Sequence, residues 1–234
     1  MLKRIGKFLG NSYRVPWEPQ AGVVADLDFV NRQYYWGGMR RTEGEFDTFT
    51  GAVFGSGATA GLTGAGTAAD HNITLAWSKL NISAPFVVAV VFRPALINGT
   101  QQFLVNLEAA ATPSQNRTSL VIATTNVSRH LTIVGNVSQA QQSSSGALTV
   151  DTNYCQATLI QTDLFRNSLN GATAGTEDTG GALPTYSLIR FLENVSNTSP
   201  FTGAVRRVLF SQQVGGAEIS QVDLNMLSGT WASL

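Results

Sequence analysis

The sequence predicts an all-β fold: a sandwich of two antiparallel sheets, with one short helix near the C-terminal end and an extended N-terminal arm. Three observations lead there. From Asn72 onward, short runs rich in β-branched and aromatic residues recur between turn signals. Phe86-Val-Val-Ala-Val-Val-Phe-Arg-Pro94 is the longest unbroken apolar run, and Pro85 and Pro94 flank it. Its composition favours a buried strand over a helix. Phe86, Val88, Val90 and Phe92 then share one face, and Val87, Ala89 and Val91 the other. Both faces are apolar, so both need cover: the opposing sheet for the bulky face, and the aromatic leader at 26–57, a C-terminal helix or another subunit for the small one. Finally, the period changes at 216–227, where Ile219, Val222, Met226 and Leu227 fall at helical spacing, with a stop near Gly229.

Composition bounds the rest. The 234 residues suit one β-sandwich domain, expected over 26–234. The chain is 43% hydrophobic but only 13% charged, about half the usual charged share. Gly, Ser, Thr, Asn and Gln fill the gap, as in many assembled β proteins. Basic and acidic residues balance at 15 each, which argues against a general nucleic-acid binder. Cys155 is the sole cysteine, so neither an internal disulfide nor a cysteine-based zinc site is expected. The first residues are charged without a following apolar stretch, and no run reaches the ~20 residues of a membrane span. Neither a signal peptide nor a membrane partner is predicted.

Taken in order, residues 1–25 read as an arm. Leu2, Ile5, Phe8 and Leu9 have helix-like spacing, which Gly6 and Gly10 weaken. Pro16 and Pro19 make the next stretch extended. Lys3, Arg4, Lys7 and Arg14 all precede the first acid, Glu18. With Phe8, Leu9, Tyr13 and Trp17 they form a candidate docking surface, against the alternatives of a disordered terminus or a membrane-surface helix. Residues 26–70 read as a leader packing on the sandwich. Asp26-Leu-Asp-Phe alternates like a strand, Trp36-Gly-Gly38 turns, and Phe46, Phe49 and Phe54 suggest packing across a sheet. Gly55 to Asp70 is glycine-rich but lacks a Gly-Lys-Ser/Thr ending, so it reads as a loop or loose edge. Strands are predicted over 73–77, 86–92, 103–107, 120–124, 131–134, 148–150, 155–161, 188–192 and 205–210, with a polar loop at 141–146. Leu169-Asn-Gly-Ala172 predicts a hairpin, because Asn-Gly tolerates positive φ.

Pro200-Phe-Thr-Gly-Ala-Val-Arg-Arg-Val-Leu-Phe-Ser, followed by Gly216-Ala-Glu-Ile-Ser-Gln-Val, resembles the end of the concanavalin A-like, laminin-G-like jelly roll. Phe201, Gly203, Val205, Val208, Phe210, Ala217, Glu218 and Ile219 carry the pattern, while Arg207 departs from an acidic residue often found there. Phe86 to Pro94 looks like that family's central strand and Leu169-Asn-Gly-Ala like its hairpin, so the resemblance covers roughly 70–227. Leu27-Asp-Phe, Tyr35-Trp-Gly-Gly and the Phe46/Phe49 pair look like the segment preceding such domains in bacteriophage virion proteins. Absent disulfides fit a protein made in a reducing host cytoplasm and assembled into a virion.

Chemistry-bearing patterns are sparse. Glu43-Gly-Glu-Phe-Asp47 places three carboxylates on one face of an extended segment, which resembles the paired acids of glycoside hydrolases. The usual spacing is not matched, and a solvated acidic edge is favoured. His71 and His130 have no second ligand at a recognisable spacing. Asp151, Asp163, Asp178 and Glu193 could contribute to a calcium site, but no EF-hand-like run accompanies them. Trp17, Trp36, Trp77 and Trp231 are sugar-stacking candidates by residue type alone, with Trp77 expected in the core. Eight Asn-x-Ser/Thr sequons read as chance matches in an Asn/Ser/Thr-rich chain. No catalytic residue, metal ligand or cofactor is assigned.

The expectation is therefore a non-enzymatic bacteriophage virion component. It would display a lectin-like jelly roll and be fastened by its arm to capsid, portal or tail proteins, with copies associating, for instance as a trimer. A host-glycan adhesin is the alternative, and a glycoside hydrolase the second.

Overall fold

The computed structural model describes residues 22–65, 72–193, 200–212 and 219–232. Its strands in chain order are β1 Val23–Asp28, β2 Gln33–Trp36, β3 Met39–Arg41, β4 Thr48–Thr50, β5 Val53–Gly55, β6 Gly61–Ala65, β7 Asn72–Ala76, β8 Phe86–Pro94 and β9 Gln102–Glu108. There follow β10 Arg117–Ile122, β11 Ser128–Val134, β12 Val137–Ser143, β13 Tyr154–Gln161, β14 Leu164–Leu169, β15 Ala172–Thr173, β16 Leu188–Phe191 and β17 Thr202–Gln212. Helix α1 spans Gln221–Trp231.

These strands make two antiparallel sheets. The ten-stranded sheet runs β15-β14-β13-β8-β17-β1-β2-β3, with β6 pairing the start of β17 and β5 pairing β6. The seven-stranded sheet runs β12-β11-β10-β9-β16-β7-β4. Leader and arm do not divide as expected. Val23–Asp28 is already β1, paired with β17, and residues up to 65 supply strands to both sheets. They are part of the sandwich, because their aromatic side chains fill its interior. Trp36, Tyr34 and Phe49 pack around Phe46 at ring-centroid distances of 5.0, 5.2 and 4.8 Å.

Strand β8 lies between β13 and β17. Phe86, Val88, Val90 and Phe92 enter the core between the sheets. Val87, Ala89 and Val91 form a second cluster on the outer face with Val23, Cys155, Ala157, Leu159, Leu209, Leu224 and Trp231. Helix α1 is thus the outer cover. Its face differs from the expected one: Leu224, Ser228 and Trp231 are buried, and Val222 is 64% exposed. The start explains the shift. Ser220 caps the helix, its Oγ accepting from Asp223 N at 3.2 Å while its own N donates to Asp223 Oδ2 at 3.0 Å. Gly229 does not end the helix. A Cβ there would come 3.1 Å from Gly171 Cα, so the glycine lets the helix approach the hairpin turn. That turn is the expected one, with Asn170 and Gly171 at φ 47° and 87°.

Two sequence readings fail at one end of the sandwich. Residues 148–150 form no strand, although Leu148 is buried and its N donates to Asn126 O at 2.8 Å. Residues 141–143, read as loop, belong to β12. The reason is a polar interior that hydrophobic periodicity does not register. Ser128, His130, Thr132, Gln142, Gln156, Thr158 and Asn167 are all buried. Ser128 Oγ donates to Gln156 Oε1 at 2.8 Å, Thr158 Oγ1 to Asn167 Oδ1 at 2.8 Å, and Gln142 Nε2 to Phe165 O at 2.8 Å. Such bonds offset the desolvation of these groups.

Leu224→Ala is expected to destabilise the protein by about 2–4 kcal/mol, because it opens a cavity over β8. Urea unfolding measures this. A loss below about 1 kcal/mol would mean that the helix is not the outer cover.

Candidate functional site

A cleft opens beside the helix on the outer face of the ten-stranded sheet. Asp26, Asp28, Gln33, Tyr34, Tyr35, Arg40 and Arg207 line about 300 Å³ of space continuous with solvent. Strand alternation sends Asp26 and Asp28 out of β1 while Leu27 points into the core. Register then places Tyr35 beside Asp26, Gln33 beside Asp28 and Arg40 beside Tyr35.

The floor is a buried ion pair. Arg207 grips Asp26 with two bonds, Nε donating to Oδ1 at 2.7 Å and Nη2 to Oδ2. The guanidinium also lies 4.7 Å from the ring centroid of Trp231. Only 5% of the Asp26 side chain and 18% of that of Arg207 are exposed. Arg207, unusual against the jelly-roll pattern, is therefore accommodated by its acidic partner on β1. Asp28 is held by its own turn, accepting from Val30 N at 3.0 Å and Asn31 N at 2.9 Å. Gln33 and Arg40 are exposed at the lip.

The sites read from sequence fare unevenly. Lys3, Arg4, Lys7, Phe8, Leu9, Tyr13, Arg14, Trp17 and His71 lie outside the described residues. Glu43 and Glu45 sit in a 3-10 turn, not an extended segment. Arg32 Nε donates to Glu43 Oε1 at 2.6 Å, and this bond holds the Glu43 carboxyl below its usual range. Thr42 N and then Arg41 do the same for Glu45. Asp47 pairs with Lys79 at 3.0 Å. The acidic edge is thus neutralised by bases, not free. Trp36 and Trp231 are buried. Trp77, placed in a turn after β7 instead of a strand, packs 5.2 Å from Phe86 and 5.0 Å from Tyr186. Each of these three indoles is committed to packing.

Cys155 is buried on the outer face of β13, and burial pushes its thiol up. His130 is buried, with Nε2 3.0 Å from Thr132 Oγ1; burial pushes it down to about 4, against its bond to Gln142 Oε1. Of the acids weighed for calcium, Asp151 pairs with Arg93, Asp163 Oδ1 accepts from Gly181 N, Asp178 Oδ1 accepts from Gly180 N, and Glu193 lies by Arg190. Among the described residues no group of three or more His, Cys, Asp or Glu is placed to hold a metal ion. The cleft itself was missed, although the outward pair Asp26 and Asp28 was visible in the alternation of β1. What joins them to Arg207 and Arg40 is sheet order.

No protein-family model matches the sequence, and no curated protein matches it. Solved structures do match in fold. Domain 4 of AbnA, a GH43 extracellular arabinanase from Geobacillus stearothermophilus in complex with arabinotriose, is 14% identical with a TM-score of 0.55, over 87% of this chain and 97% of that one. The sialidase CBM40 of Ruminococcus gnavus is 12% identical with a TM-score of 0.53, over 78% and 97%. Trypanosoma rangeli sialidase is 12% identical with a TM-score of 0.59, over 96% of this chain but only 37% of the sialidase. The likeness is one of fold: the chain is a two-sheet jelly-roll sandwich.

Two outcomes follow. Arg207→Met should cost on the order of 3 kcal/mol by stranding Asp26, and adding Asp26→Asn should recover at least half. A urea double-mutant cycle decides it; additive losses would mean that the pair is not coupled. The His130 imidazole should show no NMR titration between pH 5.5 and 8. Because its folded value is depressed, it lowers stability as pH falls below about 6.5, where only the unfolded chain takes up the proton. A midpoint near 6.5 would contradict its burial.

Proposed function

We propose that this chain is a non-catalytic, lectin-like sandwich that binds carbohydrate in the cleft at Gln33, Tyr35 and Arg40. The observation that carries the reading is the cleft. It sets amide, guanidinium and carboxylate groups around a tyrosine on a rigid sheet, and such planar groups suit the vicinal hydroxyls of a sugar. The sugar-binding domains that share the fold support it by analogy. Against the hydrolase reading, a general acid needs a raised pKa, and those of Glu43 and Glu45 are lowered.

A glycan array followed by calorimetry on the full chain tests this. Wild type should bind at least one glycan, and Arg40→Ala should weaken it by about tenfold or more while changing stability by less than about 0.5 kcal/mol. No binding at millimolar sugar, or binding indifferent to Arg40→Ala and Gln33→Ala, would sink the proposal.

The finer reading is display of this module on a bacteriophage particle, through contact of residues 1–25 with capsid, portal or tail. The basic-aromatic composition of that segment supports it. Deleting residues 1–20 should leave a folded domain that no longer enters particles. Normal incorporation of the truncated chain would remove the docking arm.

A further inference from the structure

On the outer face of the seven-stranded sheet, one guanidinium serves two carboxylates. Arg190 of β16 places Nε 2.9 Å from Glu108 Oε1 on β9 and Nη1 3.6 Å from Glu193 Oε1. Both glutamates are 1% exposed. Among the described residues, none donates a hydrogen bond to Glu193 Oε1. Among the described residues, the neighbouring amide and hydroxyl donors are engaged elsewhere. Asn106 Nδ2 donates to the Glu193 backbone oxygen at 2.8 Å, and Ser119 Oγ donates to Asn106 Oδ1 at 2.5 Å. Arg117 of β10, the other charge near Glu108, spends Nη1 on Ser114 O at 2.6 Å, while its buried Nε has no hydrogen-bond partner among the described residues. Asn72 of β7 meets Arg190 with its acceptor, Oδ1, 3.3 Å from Nη1.

Glu108 is offset by both Arg190 and Arg117, but Glu193 has only a share of Arg190 at 3.6 Å, and a buried charge so poorly balanced is costly enough that the group keeps its proton instead. Burial pushes Glu193 up to about 7, with Glu108 adding to the rise against Arg190. The preceding residue is under backbone strain. Leu192 has φ 68°, the left-handed region, and is pinned on both sides: its N donates to Leu104 O at 3.0 Å and its O accepts from Phe201 N at 2.7 Å.

We propose that Glu108, Arg190 and Glu193 form a proton-dependent latch, which fastens the end of β16 to β9 while Glu193 carries its proton and loosens when that proton passes to solvent. The sign follows from linkage. An acid raised in the fold keeps a proton that the unfolded chain gives up at its ordinary value of 4.5. Stability is therefore full below that value and declines as pH rises toward 7. His130 acts oppositely below about 6.5, so a local measurement is needed to separate the two.

Hydrogen exchange on the full chain, corrected for intrinsic rates, supplies it. Between pH 5 and 7, exchange in Leu188–Phe191 should accelerate relative to β8, by up to about tenfold per pH unit, and level off above pH 7. Glu193→Gln should flatten this dependence, and Glu108→Gln should move its midpoint to lower pH. If neither variant folds, carbon NMR of the wild-type Glu193 carboxyl reads the same event. A carboxyl midpoint below pH 5, or an exchange ratio that does not change with pH, would overturn the latch.

Discussion

Strand β8 has no polar face, and most of the molecule follows from that constraint. Its backbone is satisfied by β13 on one side and β17 on the other. Its side chains are not satisfied by a single opposing sheet. The Phe/Val face meets the aromatic interior, while the Val/Ala face would meet water without a third layer. Burying a valine contributes on the order of 1.5–3 kcal/mol, so leaving Val87 and Val91 wet is not a neutral alternative. Helix α1 supplies the layer. Its seat in turn needs Ser228 on the Asn170–Gly171 hairpin, where Ser228 Oγ accepts from Gly171 N at 2.8 Å.

The cleft depends on the same layer. Trp231 joins the outer cluster that holds Leu209 and Val91, and gives Arg207 a ring to lie against. Arg207 holds Asp26, and Asp26 borders the cleft that Gln33 and Arg40 leave open. A packing residue, an ion pair and a solvent-facing lip are therefore links of one chain. At the far end of the sandwich the interior is built otherwise, from hydroxyls, amides and an imidazole that bond between the sheets. This division lets a chain with few charges fill a large interior without being apolar throughout.

Much of the fold was legible in residue patterns. The runs at β7, β8, β9, β13, β16 and β17 alternate or are apolar throughout, and the Asn170–Gly171 turn has a local cause. The chain was misread where its chemistry was non-local. Residues 141–143 look like loop because glutamine and serine do not resemble a strand, yet Gln142 bonds across to Phe165 O. Residues 26–70 look like a leader because their strands are short, though those described up to 65 complete both sheets.

What the sequence determined by itself was period and local conformation: which runs alternate, where φ turns positive, and that both faces of Phe86–Pro94 exclude water. These depend on neighbours within a few residues. Only the tertiary structure decided which layer covers which face, that Leu224 and not Val222 points inward, and that Asp26 meets Arg207 across 181 positions. It also decided that one arginine stands between Glu108 and Glu193. Sheet order and desolvation set those pairings, and neither is a property of any short stretch of chain.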